Sequence, residues 1–308
     1  MRIAAAAVLL LITVLAAGCG FGPGKKLPGG ARLEVTRNFG QSQIYSTTVP
    51  SIRKDETVMR LLESKRRVKT SYGGKFVDSI DGLTTSSGGG RSDWFYFVNG
   101  IEASVGAADM TLSPGDVVQW DYRRWDATMH VPAIVGAYPE PFVRGTGGKR
   151  LPVRVECSSP IGAACKTVEQ RLSAEGAVTS SGVIGGSAGP KTLRVVVAPW
   201  SALKSLSGAV GSLARGPAAS GVFARFSKDG GTLTLLDQLG HPARVAPPGT
   251  GLVAATAQEG SQPVWVVTGL NGAGVERAAQ TLEPDVLRNA FALAVTPTQR
   301  LRLPVQGG

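Results

Sequence analysis

Histidine is almost missing from this chain, with only His130 and His241 among 308 residues. Neither lies near a cysteine that would complete a four-ligand transition-metal centre, so no metal site is expected. The two are also far apart in sequence, and no carboxylate pair shows a spacing that suggests acid–base chemistry. Aromatic residues make up 6% of the chain, and the basic residues are scattered without interleaved aromatics, which argues against a nucleic-acid surface. After residue 17 no apolar run approaches the roughly 20 residues that a membrane-crossing helix needs. The rest of the chain is therefore expected to be soluble.

Glycine and proline are plentiful by contrast, at 41 and 19 residues. Many turns follow, which suits β-rich domains better than a helical bundle. The length points to about two domains, and a hydrophobic content of 43% is enough for a packed core. The net charge of +11 is uneven. Residues 31–130 hold thirteen Lys/Arg against twelve Asp/Glu, whereas residues 144–308 hold seventeen against nine. The second half is thus suited to attraction toward anionic head groups or wall polymers.

The N-terminus has one basic residue, Arg2, then an apolar stretch over 3–17, then Gly18 and Cys19. This layout is that of a secretory signal. A cysteine directly after Ala16-Ala17-Gly18 resembles the lipidation site of a bacterial lipoprotein, although Ala16 occupies the place where that pattern favours leucine. The resemblance implies removal of residues 1–18 and lipid attachment at Cys19, on the extracytoplasmic face of the cell membrane. Two acyl chains suffice for stable anchoring. Residues 19–30 read as a tether. In such an oxidising compartment the remaining pair, Cys157 and Cys165, reads as a disulfide.

Structure is expected to begin at Ala31. Residues 33–37 and 44–49 alternate like paired strands, and Asp55 can cap a helix over 56–69. Its last turns carry Lys65, Arg66, Arg67 and Lys69, which complement the helix dipole. Strands are predicted at 76–80, 94–98 and 116–122. Hairpin, helix and further strands together give an α+β unit of β-grasp type, one helix on a small mixed sheet. The Pro/Gly-rich stretch 129–150 reads as a linker. A second α+β domain, 151–308, is predicted to hold strands at 153–157, 193–198, 222–227, 232–236, 264–268 and 291–295. Helices are predicted at 165–174, 201–213, 273–282 and 285–289.

The set Phe76-Val-Asp-Ser-Ile-Asp-Gly, Trp94-Phe-Tyr-Phe-Val-Asn-Gly100 and Leu112-Ser-Pro-Gly-Asp-Val-Val-Gln-Trp120 resembles the C-terminal β-domain of transcobalamin and intrinsic factor. A wide bacterial family of unknown function shares that domain, and the resemblance covers 31–128. It implies a ligand surface at Trp94, Tyr96, Asn99 and Gly100. Independently, the glycine stretch 84–92 between two strands reads as a closing loop or as a plain flexible connection. In the vitamin carriers the ligand is a corrinoid held against a helical domain, which has no counterpart here. The same residues also read structurally, with packed aromatics and Asn99-Gly100 as a hairpin turn.

Enzyme motifs are poorly supported. Gly185-Gly-Ser187-Ala-Gly189 matches a nucleophile elbow and could be combined with His241 and Asp229 or Asp237, but Pro190 and a strand follow where an elbow needs a helix. Gly269-Leu-Asn-Gly272-Ala-Gly274 lacks the spacing of a dinucleotide loop. Asp78, Asp81 and Asp93 lack the density of a calcium loop. The chain therefore reads as a non-catalytic ligand-binding lipoprotein that requires no cofactor and takes a cobalamin-like ligand beside a transporter. The alternative reading is an envelope protein that binds another protein or a wall polymer.

Overall fold

The computed structural model describes residues 26–86, 91–159, 162–186 and 188–307. Cys19, the signal segment and the start of the tether lie outside these residues. So do Ser187 and residues 87–90 of the glycine stretch.

The first unit comprises β1 (Lys26–Arg37), β2 (Ser42–Arg53), α1 (Val58–Glu63), β3 (Val68–Ser71), β4 (Phe76–Ile80), β5 (Leu83–Thr84), β6 (Ser92–Val98), β7 (Ile101–Glu102) and β8 (Asp116–Arg124). Its main sheet has the order β2-β1-β8-β6-β7. β8 returns parallel to β1, from Ala31 opposite Asp116 to Arg37 opposite Tyr122. A hairpin, a crossing helix and a parallel return strand make up the β-grasp arrangement. Leu33, Val35, Val118 and Trp120 point toward α1 and share a core with Val58, Leu61 and Leu62.

β2, β6 and β8 extend a few residues beyond their predicted bounds, and two boundaries differ by more. β1 starts at Lys26, inside the segment expected as tether, because its first residues pair with the far end of β2. α1 is six residues long, starting after Thr57, whose hydroxyl oxygen accepts from Arg60 N at 3.2 Å. The chain then leaves the helix. Arg66 is held by the Asp81 carboxylate and lies 4.5 Å over the Tyr45 ring, and Val68 and Thr70 enter β3. The basic run therefore lies beyond α1 instead of completing its last turns.

The second unit is built on a seven-stranded sheet, with β9 (Val153–Cys157), α2 (Ala163–Ala174), β10 (Thr179–Val183) and β11 (Leu193–Pro199) at its start. Short helices α3 (Trp200–Leu203), α4 (Gly208–Ser212) and α5 (Pro217–Ser220) follow. A small sheet of β12 (Ala224–Phe226), β13 (Leu233–Leu236) and β14 (Pro242–Val245) comes next. The chain then returns through β15 (Gly251–Thr256), β16 (Val264–Gly269), α6 (Gly272–Gln280), α7 (Pro284–Leu287), β17 (Ala292–Val295) and β18 (Arg300–Leu303). The sheet order is β10-β9-β11-β16-β15-β17-β18. The first four strands are mutually parallel and the last three run antiparallel. α2 and α6 cover one face. The predicted helix over 201–213 is broken at Gly208, whose φ of +73° is left-handed. Cys157 and Cys165 form a disulfide, with Cα atoms 6.1 Å apart, that ties the end of β9 to the first turn of α2.

The polar face of the first sheet, carrying Glu34, Thr36, Gln119, Asp121 and Arg123, is as buried as its apolar face. It is covered by the second unit and by residues 131–142. Val131, Ile134, Val135, Tyr138 and Phe142 in this stretch are buried and divide themselves between the two cores of the second unit. The β1–β2 turn drives the contact. Asn38, Phe39 and Gly40 all adopt positive φ, and Phe39 is inserted against Phe223 and Phe291, with ring centroids 4.7 and 5.3 Å away. A Cβ on Gly40 would lie 1.7 Å from the Asn289 carbonyl oxygen, so only glycine permits this approach.

Two stability outcomes follow. Phe39→Ala should cost about 3–5 kcal/mol, as for other large aromatic truncations in cores, and lower the midpoint of chemical denaturation accordingly. Replacing both Cys157 and Cys165 by alanine should cost about 2–3 kcal/mol on the chain-entropy account of a short loop, which the same denaturation experiment measures.

Candidate functional site

Each of the four residues singled out on β6 and its turn uses its polar atoms inside the fold. The Trp94 indole donates to Leu83 O at 3.0 Å, and its ring centroid is 5.3 Å from that of Tyr122. The Tyr96 hydroxyl donates to Val105 O, while its ring packs 4.9 Å from Trp120. Burial, reinforced by Asp109, raises the Tyr96 hydroxyl well above the ordinary phenol range. Asn99, at φ +53°, donates to Asp116 Oδ1 at 2.8 Å and to Gly145 O at 3.1 Å, and accepts from Val117 N at 2.9 Å. A Cβ on Gly100 would meet Ile134 O at 2.7 Å. The Asn99-Gly100 turn thus fastens β6 to residues 134–145.

The other motifs are likewise spent locally. His241 Nδ1 is 3.9 Å from Asp237 on an exposed turn, and Asp229 accepts from Ser227 Oγ and Gly231 N within its own turn. Asn271 caps α6 by accepting from Gly274 N at 3.0 Å. A Cβ on Gly274 would lie 2.5 Å from Thr250 O, so the glycine permits close packing of α6 on the sheet. Asp78 accepts from Ser71, Asp81 binds Arg66, and Asp93 accepts from the Trp125 indole. Among the described residues no three His, Cys, Asp or Glu side chains gather as a metal site.

The site that the fold does build lies on the second unit. Glu156 on β9 is wholly buried, and Arg194 on β11 grips it with two parallel bonds, Nε to Oε1 and Nη2 to Oε2, both 2.7 Å. Arg194 Nη1 has no partner among the described residues. Arg194 forms part of the wall of a cavity of about 400 Å³, together with Gly186, Ser207, Gly208, Gln258 and Gln262. Gln262 Oε1 is buried without a hydrogen bond. A second depression of about 520 Å³, bordered by Arg215 and Ser212, shares Gly208, Gln258 and Ser261 with the first. The first cavity therefore presents a bidentately oriented guanidinium and neutral hydrogen-bonding groups, which suit a small anion, while the second adds Arg215 and the Glu259 carboxylate. A signal for it was present in the sequence. Val-Arg-Val-Glu-Cys over 153–157 and Leu-Arg-Val over 193–195 place charges at alternate positions of otherwise apolar strands, on one shared face.

Electrostatics at the contact between the two units centres on Asp121 and Arg123. Asp121 accepts from Thr36 Oγ1 at 2.6 Å and from the backbone N–H groups of Phe39 and Gly40, both at 2.9 Å. Burial pushes its carboxyl up to about 6, against the lowering effect of these bonds and of Arg123. Arg123 is fully buried, lies 3.7 Å over the Phe95 ring, and donates to Thr128 O and Met129 O. Burial lowers it to about 10, opposed by Glu102, Asp121 and Asp93.

The fold defines an α+β protein with a β-grasp unit. A family model described as a domain of unknown function (DUF4430) matches residues 55–124, from the approach to α1 through β8. That family is related to transcobalamin-like domains. No curated protein matches the chain. Among solved structures, a "putative metal binding protein" from Ruminococcus gnavus ATCC 29149 is similar, at 16% identity over 31% of this chain and 96% of that chain, with a TM-score of 0.25.

Asp121 gives a pH signature. Between its unfolded value near 4 and its folded value of about 6, the folded chain keeps a proton that the unfolded chain has lost. Its contribution to stability is full below about pH 4 and is lost as pH rises to about 6. The change should be on the order of 3 kcal/mol. The stability difference between the native protein and Asp121→Asn, followed by denaturation from pH 4 to 7, should carry this slope.

Proposed function

We propose that this chain is a lipid-anchored, extracytoplasmic, non-catalytic binding protein that holds a small anion in the cleft beside Arg194. The observation that carries the ligand reading is the Arg194–Glu156 pair. A fully buried carboxylate fixes the guanidinium by two bonds, through Nε and Nη2, at a cavity wall. The anchor reading rests on the Arg2-to-Cys19 pattern, and the Cys157–Cys165 disulfide suits the oxidising compartment it implies. A planar corrinoid on β6 is the weaker choice of ligand, because Trp94 and Tyr96 are buried. The bound anion would be passed to a transporter or kept at the envelope surface.

The cleft is tested by calorimetric titration with inorganic phosphate and with succinate at low salt, with cyanocobalamin as a third arm. Binding of either anion should weaken at least about tenfold in Arg194→Lys, which keeps a cation on Glu156 but lacks the fork. Heat from neither anion, or an unchanged affinity in the variant, defeats the cleft assignment. For the anchor, labelling with radioactive palmitate should mark the protein, and Cys19→Ser should abolish the label.

A further inference from the structure

The seven-stranded sheet ends at β10, and its outer edge pairs with nothing among the described residues. Exposed edges are normally protected by charge or proline. Every other edge strand longer than two residues obeys this rule: Pro50 and Arg53 on β2, Lys69 on β3, Arg225 on β12, Pro242 and Arg244 on β14, and Arg300 and Arg302 on β18. β18 is further covered by Gln41, whose amide donates to Arg302 O and Pro304 O. β10, Thr-Ser-Ser-Gly-Val, has neither device. No Lys, Arg, Asp or Glu occurs anywhere from residue 176 to 190. Val178 and Val183, immediately before the strand and at its end, are 71% and 61% exposed.

Two charges nevertheless reach this edge from neighbouring elements: Arg154 on one face, and on the other Glu169 of α2, which accepts from Ser181 Oγ at 2.6 Å, so only the Arg154 face favours a carboxylate. Arg154 on β9 is in register with Ser180, and its guanidinium extends over Gly182. A Cβ at position 182 would lie 2.4–2.6 Å from Arg154 Nε, Nη2 and Cζ, so glycine leaves that space to the arginine. Arg154 Nε is buried without a hydrogen bond. The nearest carboxylate, Glu156, is 3.8 Å away and already committed to Arg194 at 2.7 Å.

We infer that β10 is a strand-addition site for an extended acidic peptide segment, whose backbone completes the sheet and whose carboxylate side chains meet Arg154 across Gly182. Main-chain bonds along the edge would supply affinity, and the alternate side chains facing Arg154 would supply selection. A second copy of the chain is disfavoured as occupant. Its own β10 has no acidic residue, its Glu169 is held on Ser181 on the face away from Arg154, and a two-fold pairing would set one Arg154 beside the other. This site adjoins the cleft at Arg194, because Arg154 lies against Gly186 of the cavity wall and 3.8 Å from the Glu156 that Arg194 holds, so phosphate binding to Arg154→Gln is measured as well.

The test uses the full chain and a fluorescent peptide, Thr-Val-Glu-Val-Glu-Val-Thr, with its Glu-to-Gln analogue as control. Anisotropy should show binding of the acidic peptide that is about tenfold weaker for the analogue and for Arg154→Gln. Gly182→Glu, which supplies an internal carboxylate to Arg154, should weaken it similarly. Hydrogen exchange should report new protection at residues 179–183 when the peptide is bound. Equal binding of the two peptides, no binding, or protection confined to other strands overturns the proposal. So does a doubled mass by light scattering with residues 179–183 protected before any peptide is added. Phosphate titration of Arg194→Lys and of Arg154→Gln in parallel keeps the outcome separate from that of the cleft.

Discussion

The carboxylate of Asp121 organises the contact on which the rest of the molecule depends. It sits on the central return strand of the β-grasp sheet and gathers a hydroxyl and two successive backbone N–H groups from the β1–β2 turn. Those bonds stabilise three residues in left-handed backbone conformations, a costly arrangement for Asn38 and Phe39 without such support. The turn then projects Phe39 into the other unit. Arg123, two residues along the same strand, binds the carbonyls of Thr128 and Met129 and so fixes the path by which the chain leaves the first sheet. One face of one strand thus determines both the shape of the turn and the course of the connection.

Much of the first unit could be read from the sequence because its local signals agree with its tertiary role. Alternation over 33–37, the all-large strand at 94–98 and the Asn99-Gly100 turn each predicted what the fold contains. Local propensity extends α1 too far, because Lys65 and Arg66 are good helix formers while the interactions that hold the chain beyond the helix, with Asp81 and Tyr45, are nonlocal. β15 carries no strand signal of its own. Its sequence, Gly-Leu-Val-Ala-Ala-Thr, is short and half small residues, yet every position is buried between two neighbouring strands. Such a strand is defined by its neighbours more than by its own residues.

Site residues were harder to identify for a related reason. Aromatic residues on a strand serve a core and a ligand surface equally well, and only hydrogen-bond partners distinguish the two. Trp94 and Tyr96 have partners within the fold. Arg194 could have been noticed as a charge inside an apolar strand, but its partner Glu156 lies 38 residues away, and the parallel pairing that joins them passes through α2 and β10. Periodicity reveals which face a residue occupies and does not reveal which strand will lie beside it.

β1 also has a mechanical role. It is a twelve-residue strand, bulged at Gly29-Gly30, whose first residue, Lys26, adjoins the N-terminal segment and whose far end leads directly into the Phe39 turn. A pull on the N-terminus would act along the strand axis, loading the β1–β2 and β1–β8 ladders in shear, so that many backbone bonds resist together instead of opening one at a time. The strand where traction enters thus continues into the turn that wedges Phe39 into the second unit, so a force that hauled on the N-terminus would be shared with that unit.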